Sequence, residues 1–253
     1  MVGRPGRQIV KKYLEDNRQN YDFVIANVEN ASHGFGLTEK NHNELIGYGI
    51  DCMTSGNHIW DKKDIYGFID SSNALIRPLN YPIGVQGVGY RIFKDNIVVV
   101  NLLGRVFMNP MDCPFRRFEE LIKQIGNKKI IIVDFHGEAT AEKICFTNFA
   151  LELGANAVIG THTHVQTADE KIIKGTCAHI TDVGFCGAFE SVIGMEYEGS
   201  IKQMLTSIPH RFEVVEKPQS VQLNACEITF NLENNKPIDI KRIYEVKEVQ
   251  YEN

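Results

Sequence analysis

The chain has 253 residues, 43% of them hydrophobic and 23% charged, with a formal net charge of −5. A chain this long buries roughly three quarters of its unfolded surface, so it needs neither a metal nor disulfides to hold a core, and that composition excludes wholesale disorder, collagen-like repeats and a disulfide mini-scaffold. The acidic balance argues against a sequence-independent grip on double-stranded nucleic acid, and no apolar run reaches the ~18 residues of a membrane span.

Length favours one α/β or all-β domain over 1–253, with two small domains as the weaker reading. The six cysteines, Cys52, Cys113, Cys145, Cys177, Cys186 and Cys226, form no two-residue-spaced pair. With no secretory signal, they read mostly as small buried hydrophobes of a cytoplasmic protein. Arg4, Arg7, Lys11 and Lys12 read as the solvated face of a first helix, which Pro5 is placed to begin.

Strands and helices then alternate. Phe23–Asn27 is a short buried strand, Thr38 the N-cap of a helix to about Tyr48, and Cys52–Ser55 the next strand. A short helix is expected over Asp64–Asp70. A hairpin of Gly89–Phe93 and Ile97–Leu102 turns at Asp95-Asn96. Helix Phe115–Ile125, strand Ile130–Phe135, helix Thr140–Leu153 and strand Ala157–Ile159 follow. The last third holds strand Ala178–Thr181, helix Gly199–Thr206 and strands near Val221–Asn231 and Lys241–Val249. Parallel βα units with antiparallel hairpins predict two mixed sheets sandwiched between helices.

Polar residues cluster where the predicted strands end. Glu29-Asn30 follows the first strand and Asn57-His58 the second. His136 closes a nearly all-apolar run, and His162 and His164 follow Ala157–Ile159. Ligand sites of open α/β sheets lie at that edge. Imidazole, carboxylate and amide oxygen together suit a divalent ion such as Mn, Fe or Zn. Two ions about 4 Å apart can share one carboxylate and clamp both oxygens of an in-line displacement at phosphorus.

Other residues carry two readings each. Trp60 and Asp61 either line a substrate pocket or pack. His33, in the glycine-rich Ser32–Gly36 loop, contacts phosphate or is a plain loop residue. Arg105 holds a phosphate or makes a salt bridge. His179 reads as structural, and His42 and His210 as surface residues. Cys177 and Cys186 lack the paired base that a catalytic thiol needs.

Gly56-Asn57-His58 and Gly160-Thr-His-Thr-His164 resemble signatures of the calcineurin-like metallophosphoesterase superfamily. Val2–Arg7, Asn27–Gly36, Thr54–Trp60, Asp134–Lys143 and Thr181-Asp-Val-Gly184 resemble one branch of it, the YmdB-like bacterial phosphodiesterases, essentially end to end. The resemblance implies a four-layer α/β/β/α sandwich and a two-metal phosphodiesterase acting on small phosphodiesters, 2′,3′-cyclic nucleotides being the reported class. It implies two divalent ions, manganese or iron ahead of zinc or magnesium, and a tendency to form homo-oligomers. By the same resemblance Glu29 bridges the ions, Asn30 and His164 serve the first, and Asn57, His136 and His162 serve the second. His58 acts beside them on the transition state or leaving oxygen. Members of the family open with a further strand whose closing Asp binds the first ion. That strand and ligand are absent from the sequence as written, so the expectation is a longer natural protein. If the chain does begin at Met1, the alternative is a catalytically weakened regulatory protein that keeps the fold. A metal-dependent peptide or amide hydrolase is the third reading.

Overall fold

Strand Ile130–His136 reads almost entirely apolar because both of its faces are covered. The computed structural model of the chain describes residues 1–126 and 129–249. The helices are α1 (Gly3–Asn17), α2 (Glu39–Gly47), α3 (Ile65–Phe68), α4 (Pro114–Ile125), α5 (Thr140–Glu152) and α6 (Tyr197–Thr206). The strands are β1 (Ile25–Asn27), β2 (Cys52–Thr54), β3 (Tyr90–Phe93), β4 (Ile97–Leu103), β5 (Ile130–His136) and β6 (Ala157–Thr161). After them come β7 (Lys171–Ile173), β8 (Cys177–Ile180), β9 (Gly187–Ala188), β10 (Ser220–Asn231) and β11 (Lys236–Glu248).

The largest sheet has the order β3-β4-β5-β6-β8-β7. Its inner strands β4, β5, β6 and β8 run parallel, while β3 and β7 close the edges antiparallel. A second layer is made of two pieces, parallel β1-β2 and antiparallel β9-β10-β11. Val2 lies between the pieces: it bridges Asn30 in parallel, and its N–H donates to the Cys186 carbonyl.

Period-two alternation assigns each face of the large sheet. Ile131, Val133 and Phe135 pack with Val98, Val100 and Leu102 of β4 against Phe118 of α4 and Phe146 of α5. Phe146 lies 4.5 Å from Phe135, ring centre to ring centre. The opposite face meets the second layer, through Cys52, Ile76 and Val99 at one end and Ala157, Ala178 and Ile240 at the other. Helix α1 covers β10 through Ile9, Val221 and Leu223, and α2 and α3 pack over β2 and Val28. The order α4/α5, large sheet, split sheet, α1/α2/α3 is the expected four-layer sandwich.

Most expected elements form, with ends shifted by a few residues. Strands β7 and β9 escape a sequence reading because three and two residues show no usable period. The basic run is not uniformly solvated. Arg7 is half-buried, with its guanidinium on the Ala31 carbonyl and, at 3.2 Å, on Glu44. His42 is buried rather than at the surface, its Nε2 2.7 Å from Ser72 Oγ, because α2 turns that face toward Phe68. Cys145, on the outer face of α5, is exposed.

Candidate metal centre

The parallel strands of both layers present their C-terminal ends to one seam. From β1 the chain delivers Glu29 and Asn30, from β2 Asn57 and His58, from β5 His136, and from β6 His162 and His164. Glu29 and His136 are each 1% exposed. His136 Nε2 lies 3.1 Å from Glu29 Oε1, 3.0 Å from Asn57 Oδ1 and 3.0 Å from His162 Nδ1. Donor atoms of Glu29, His136 and His162 all fall within 4.8 Å of one another. Asn30 Nδ2 extends the cluster, 3.4 Å from Glu29 Oε1 and 3.4 Å from His164 Nε2. Gly56 is pressed against it so closely that a Cβ there would collide with His136 Nε2 and Glu29 Oε2.

The outer nitrogens of the three imidazoles determine what the inner ones can do. Thr161 Oγ1 donates its single proton to Asp134 Oδ1 at 2.7 Å, so the hydroxyl can only accept from His136 Nδ1, 2.9 Å away. His162 Nε2 faces Glu138 Oε2 at 3.1 Å, and His164 Nδ1 faces the Ile193 carbonyl at 3.2 Å. Each ring thereby spends an N–H outward and turns its other nitrogen inward, the arrangement typical of metal-bound histidine.

Protons alone do not satisfy this cluster. Burial raises the Glu29 carboxyl, but the charge and hydrogen bond of His136, with the His58 N–H, hold it down at about 2. Burial lowers His136, while Glu29 outweighs it and leaves the imidazole above its ordinary value. One proton thus fits the Glu29–His136 pair. Burial and the neighbouring His136 push His162 down to about 4, and burial lowers His164 as well. Both rings therefore stay neutral near pH 7, the His162 lone pair turned toward His136 Nε2 and that of His164 toward the Asn30 amide. Asn30 Oδ1 is buried with no hydrogen-bond partner among the described residues. A cation with several open coordination positions would engage Asn30 Oδ1 together with the inward-facing ring nitrogens.

A family model describing YmdB-like proteins matches residues 1–243. This chain belongs to the YmdB-like family. It is 43% identical over 249 residues to a 2′,3′-cyclic-nucleotide 2′-phosphodiesterase of Bacillus subtilis (strain 168), covering 96% of this chain and 93% of the relative. It is 35% identical over 255 residues to a putative phosphatase/phosphodiesterase of Mycoplasma pneumoniae, covering 96% and 89%. Two solved structures superpose with a TM-score of 0.90 and 35% identity. One is a hypothetical protein from Thermus thermophilus, covering 97% of this chain and 96% of that one. The other, described as a novel phosphatase of Mycoplasma pneumoniae, covers 98% and 91%. The fold is therefore the metallophosphoesterase sandwich of this YmdB-like group.

Of the seven residues expected at the centre, Glu29, Asn30, Asn57, His136, His162 and His164 converge within one chain of contacts. His58 joins through its backbone, whose N–H donates to Glu29 Oε2 at 3.0 Å. The His58 ring packs against the Phe35 edge, and its Nδ1 lies 2.8 Å from Asp61 Oδ2. His33 is exposed at φ 57°, and none of the cluster's hydrogen bonds involves it. Trp60 packs, stacked on Tyr66 and edge-on to Tyr81. Arg105 is exposed; its backbone N–H donates to Glu142 and its carbonyl accepts from the Met108 N–H. His179 is buried on Thr147 and the Val158 carbonyl, a structural residue as expected. Burial pushes the Cys177 thiol up to about 12 and raises Cys186, so neither offers a thiolate.

Sequence reading in this YmdB-like chain missed the residues that orient the rings, namely Asp134, Glu138 and Thr161; Asp61, read there as pocket lining or packing, pairs with the His58 ring. Asp134 had a usable signal, as the one carboxylate within an apolar strand. Burial raises its pKa even though Thr54, Thr161 and Asn27 all donate to it.

Proposed function

We propose that this YmdB-like chain is a metal-dependent phosphoric diester hydrolase acting on small phosphodiesters, with 2′,3′-cyclic nucleotides as its substrate class. The observation that carries this reading is the inward aim of three imidazole nitrogens around one buried carboxylate. Glu29 would lie between two divalent ions, with Asn57, His136 and His162 holding one and Asn30 and His164 the other. The donor set suits manganese or iron ahead of zinc or magnesium. When bound, such ions neutralise phosphate charge and make a water acidic enough to ionise near neutrality.

The chain's own groups do the rest. Asp61 occupies His58 Nδ1 and fixes the ring, leaving Nε2 as the nitrogen for the departing oxygen. Doubly protonated, that ring carries a proton to place there. The buried Glu29 stays ionised across the working range and so keeps a constant negative charge at the middle of the cluster. His33, exposed on the loop that carries Phe35, is the candidate substrate contact. The chain acts as one domain in the cytoplasm; among its described residues, no helix is long and apolar enough to cross a membrane. Self-association is supported by the exposed stripe of Tyr197, Ile201, Met204, Leu205 and Ile208 along and just beyond α6.

The test is hydrolysis of a 2′,3′-cyclic nucleotide with Mn²⁺ supplied. Release of a nucleoside monophosphate, abolished by chelation, is expected. His58→Ala should slow turnover by roughly 10²–10⁴-fold with both ions still bound. Wild-type protein carrying two ions yet hydrolysing no phosphodiester would overturn the enzymatic reading in favour of a binding role.

A further inference from the structure

The segment that carries His162 and His164 has an unusual backbone. Both residues lie at positive φ, 109° and 64°, where side chains bearing a Cβ are rarely found. Such conformations persist only where the surroundings over-determine them. Thr163, between them, is the fixed point. Its N–H donates to Asp182 Oδ2 at 3.0 Å and its hydroxyl to the same oxygen at 2.8 Å. Asp182 is fully buried. Lys143 Nζ reaches Asp182 Oδ2 at 2.8 Å in an ion pair with both side chains 1% exposed, and Gly184 N–H donates to Oδ1 at 2.9 Å. On the approach to the bend, Gly160 lies so tightly on the Thr181 carbonyl that no Cβ fits.

Neither Lys143 nor Asp182 enters the proposed reaction. Apolar residues of similar volume often stabilise a fold as well as a buried ion pair does, so stability alone gives no reason for this one. Its geometry does. We infer that Lys143 and Asp182 are a positioning pair for the double-histidine bend. The ammonium fixes the carboxylate, and the carboxylate draws Thr163 inward. The flanking rings are thereby turned out, His162 toward His136 and His164 toward Asn30. The inference rests on the reading of His162 and His164 as metal ligands.

The experiment titrates the full-length protein with Mn²⁺ alone, by calorimetry and by electron paramagnetic resonance of the free ion. It compares wild type with Lys143→Met/Asp182→Leu, which removes the pair without stranding either charge. Phe146→Ala, a substitution in the core behind the large sheet, controls for lost stability, and all proteins are measured where circular dichroism shows them folded. The expected result is binding weakened about ten- to a hundredfold at both sites in the double variant, with Phe146→Ala binding like wild type. Wild-type affinity in the double variant, or an equal loss in Phe146→Ala, would overturn the positioning role while leaving the metal reading intact. If the double variant does not fold, Thr163→Val decides. It deletes only the hydroxyl arm and should weaken binding severalfold; unchanged affinity overturns the inference. Wild-type protein that binds no Mn²⁺ would remove the metal reading and this inference with it.

Discussion

Thr161→Val isolates the outward hydrogen bond of a single imidazole. Valine keeps the shape and suits a strand, but it deletes two bonds at once, to Asp134 Oδ1 at 2.7 Å and to His136 Nδ1 at 2.9 Å. These side chains belong to residues no more than 7% exposed, so water does not readily replace the hydroxyl. A lost bond to a buried carboxylate and a stranded N–H together cost about 2–4 kcal/mol. For a chain of this size that corresponds to a fall in Tm of roughly 5–15 °C. The ring is then free to carry its proton on Nε2, where the cluster needs a lone pair, and Mn²⁺ affinity should drop about 10–100-fold. Thermal unfolding in chelator gives the first quantity, and Mn²⁺ titration well below Tm gives the second. Thr161→Ser, which restores the hydroxyl, should recover most of the binding. A valine variant that binds Mn²⁺ like wild type, or a serine variant as weak as valine, would refute the tautomer argument.

Three further outcomes follow from the same geometry. Gly56→Ala should abolish metal binding while leaving secondary structure intact, because the new methyl enters the space between His136 Nε2 and Glu29 Oε2; metal analysis and circular dichroism of the purified variant check both halves. Glu29→Ala should strip both ions, and two ions still present by metal analysis would count against the bridging role. Asp169 gives a pH dependence. Burial raises its carboxyl, but hydrogen bonds from Thr167 and Thr181 bring it down to about 2, against an ordinary 3.8. The folded pKa lies below the unfolded one, so the stabilisation is fully present above about pH 4 and is lost as pH falls toward 2. Urea unfolding of wild type and Asp169→Asn should show a gap that closes over that window; a gap unchanged down to pH 2 would contradict the assignment.

The legibility of the centre in the sequence followed a physical division. Glu29, Asn57, His136, His162 and His164 could be found because each follows a strand, and strand ends in parallel sheets share an edge. The apolar run Ile130–Phe135 marked a strand covered on both faces, and the αβ alternation marked the layers. The residues that orient the rings carry no such mark. Thr161 and Glu138 look like ordinary strand-end and loop residues until the fold sets them beside an imidazole. Buried His42 was misplaced because only the packing of α2 on Phe68 and Ser72 reveals which face of that short helix turns inward. Arg7 has the spacing of a solvated helical residue, and the loop that it holds at Ala31 is distant in sequence.

Strand β5 has a consequence for how this chain can change over generations. Ile131, Val133 and Phe135 belong to one face and Ile132, Asp134 and His136 to the other. Volume-conserving exchanges on the first face should drift with little effect on chemistry, while the polar residues of the second admit almost none. Insertion of one residue would interchange the two sets and lose both cohesion and reactivity together. Variation in this strand should therefore appear as substitution at alternate positions, with its length unchanged.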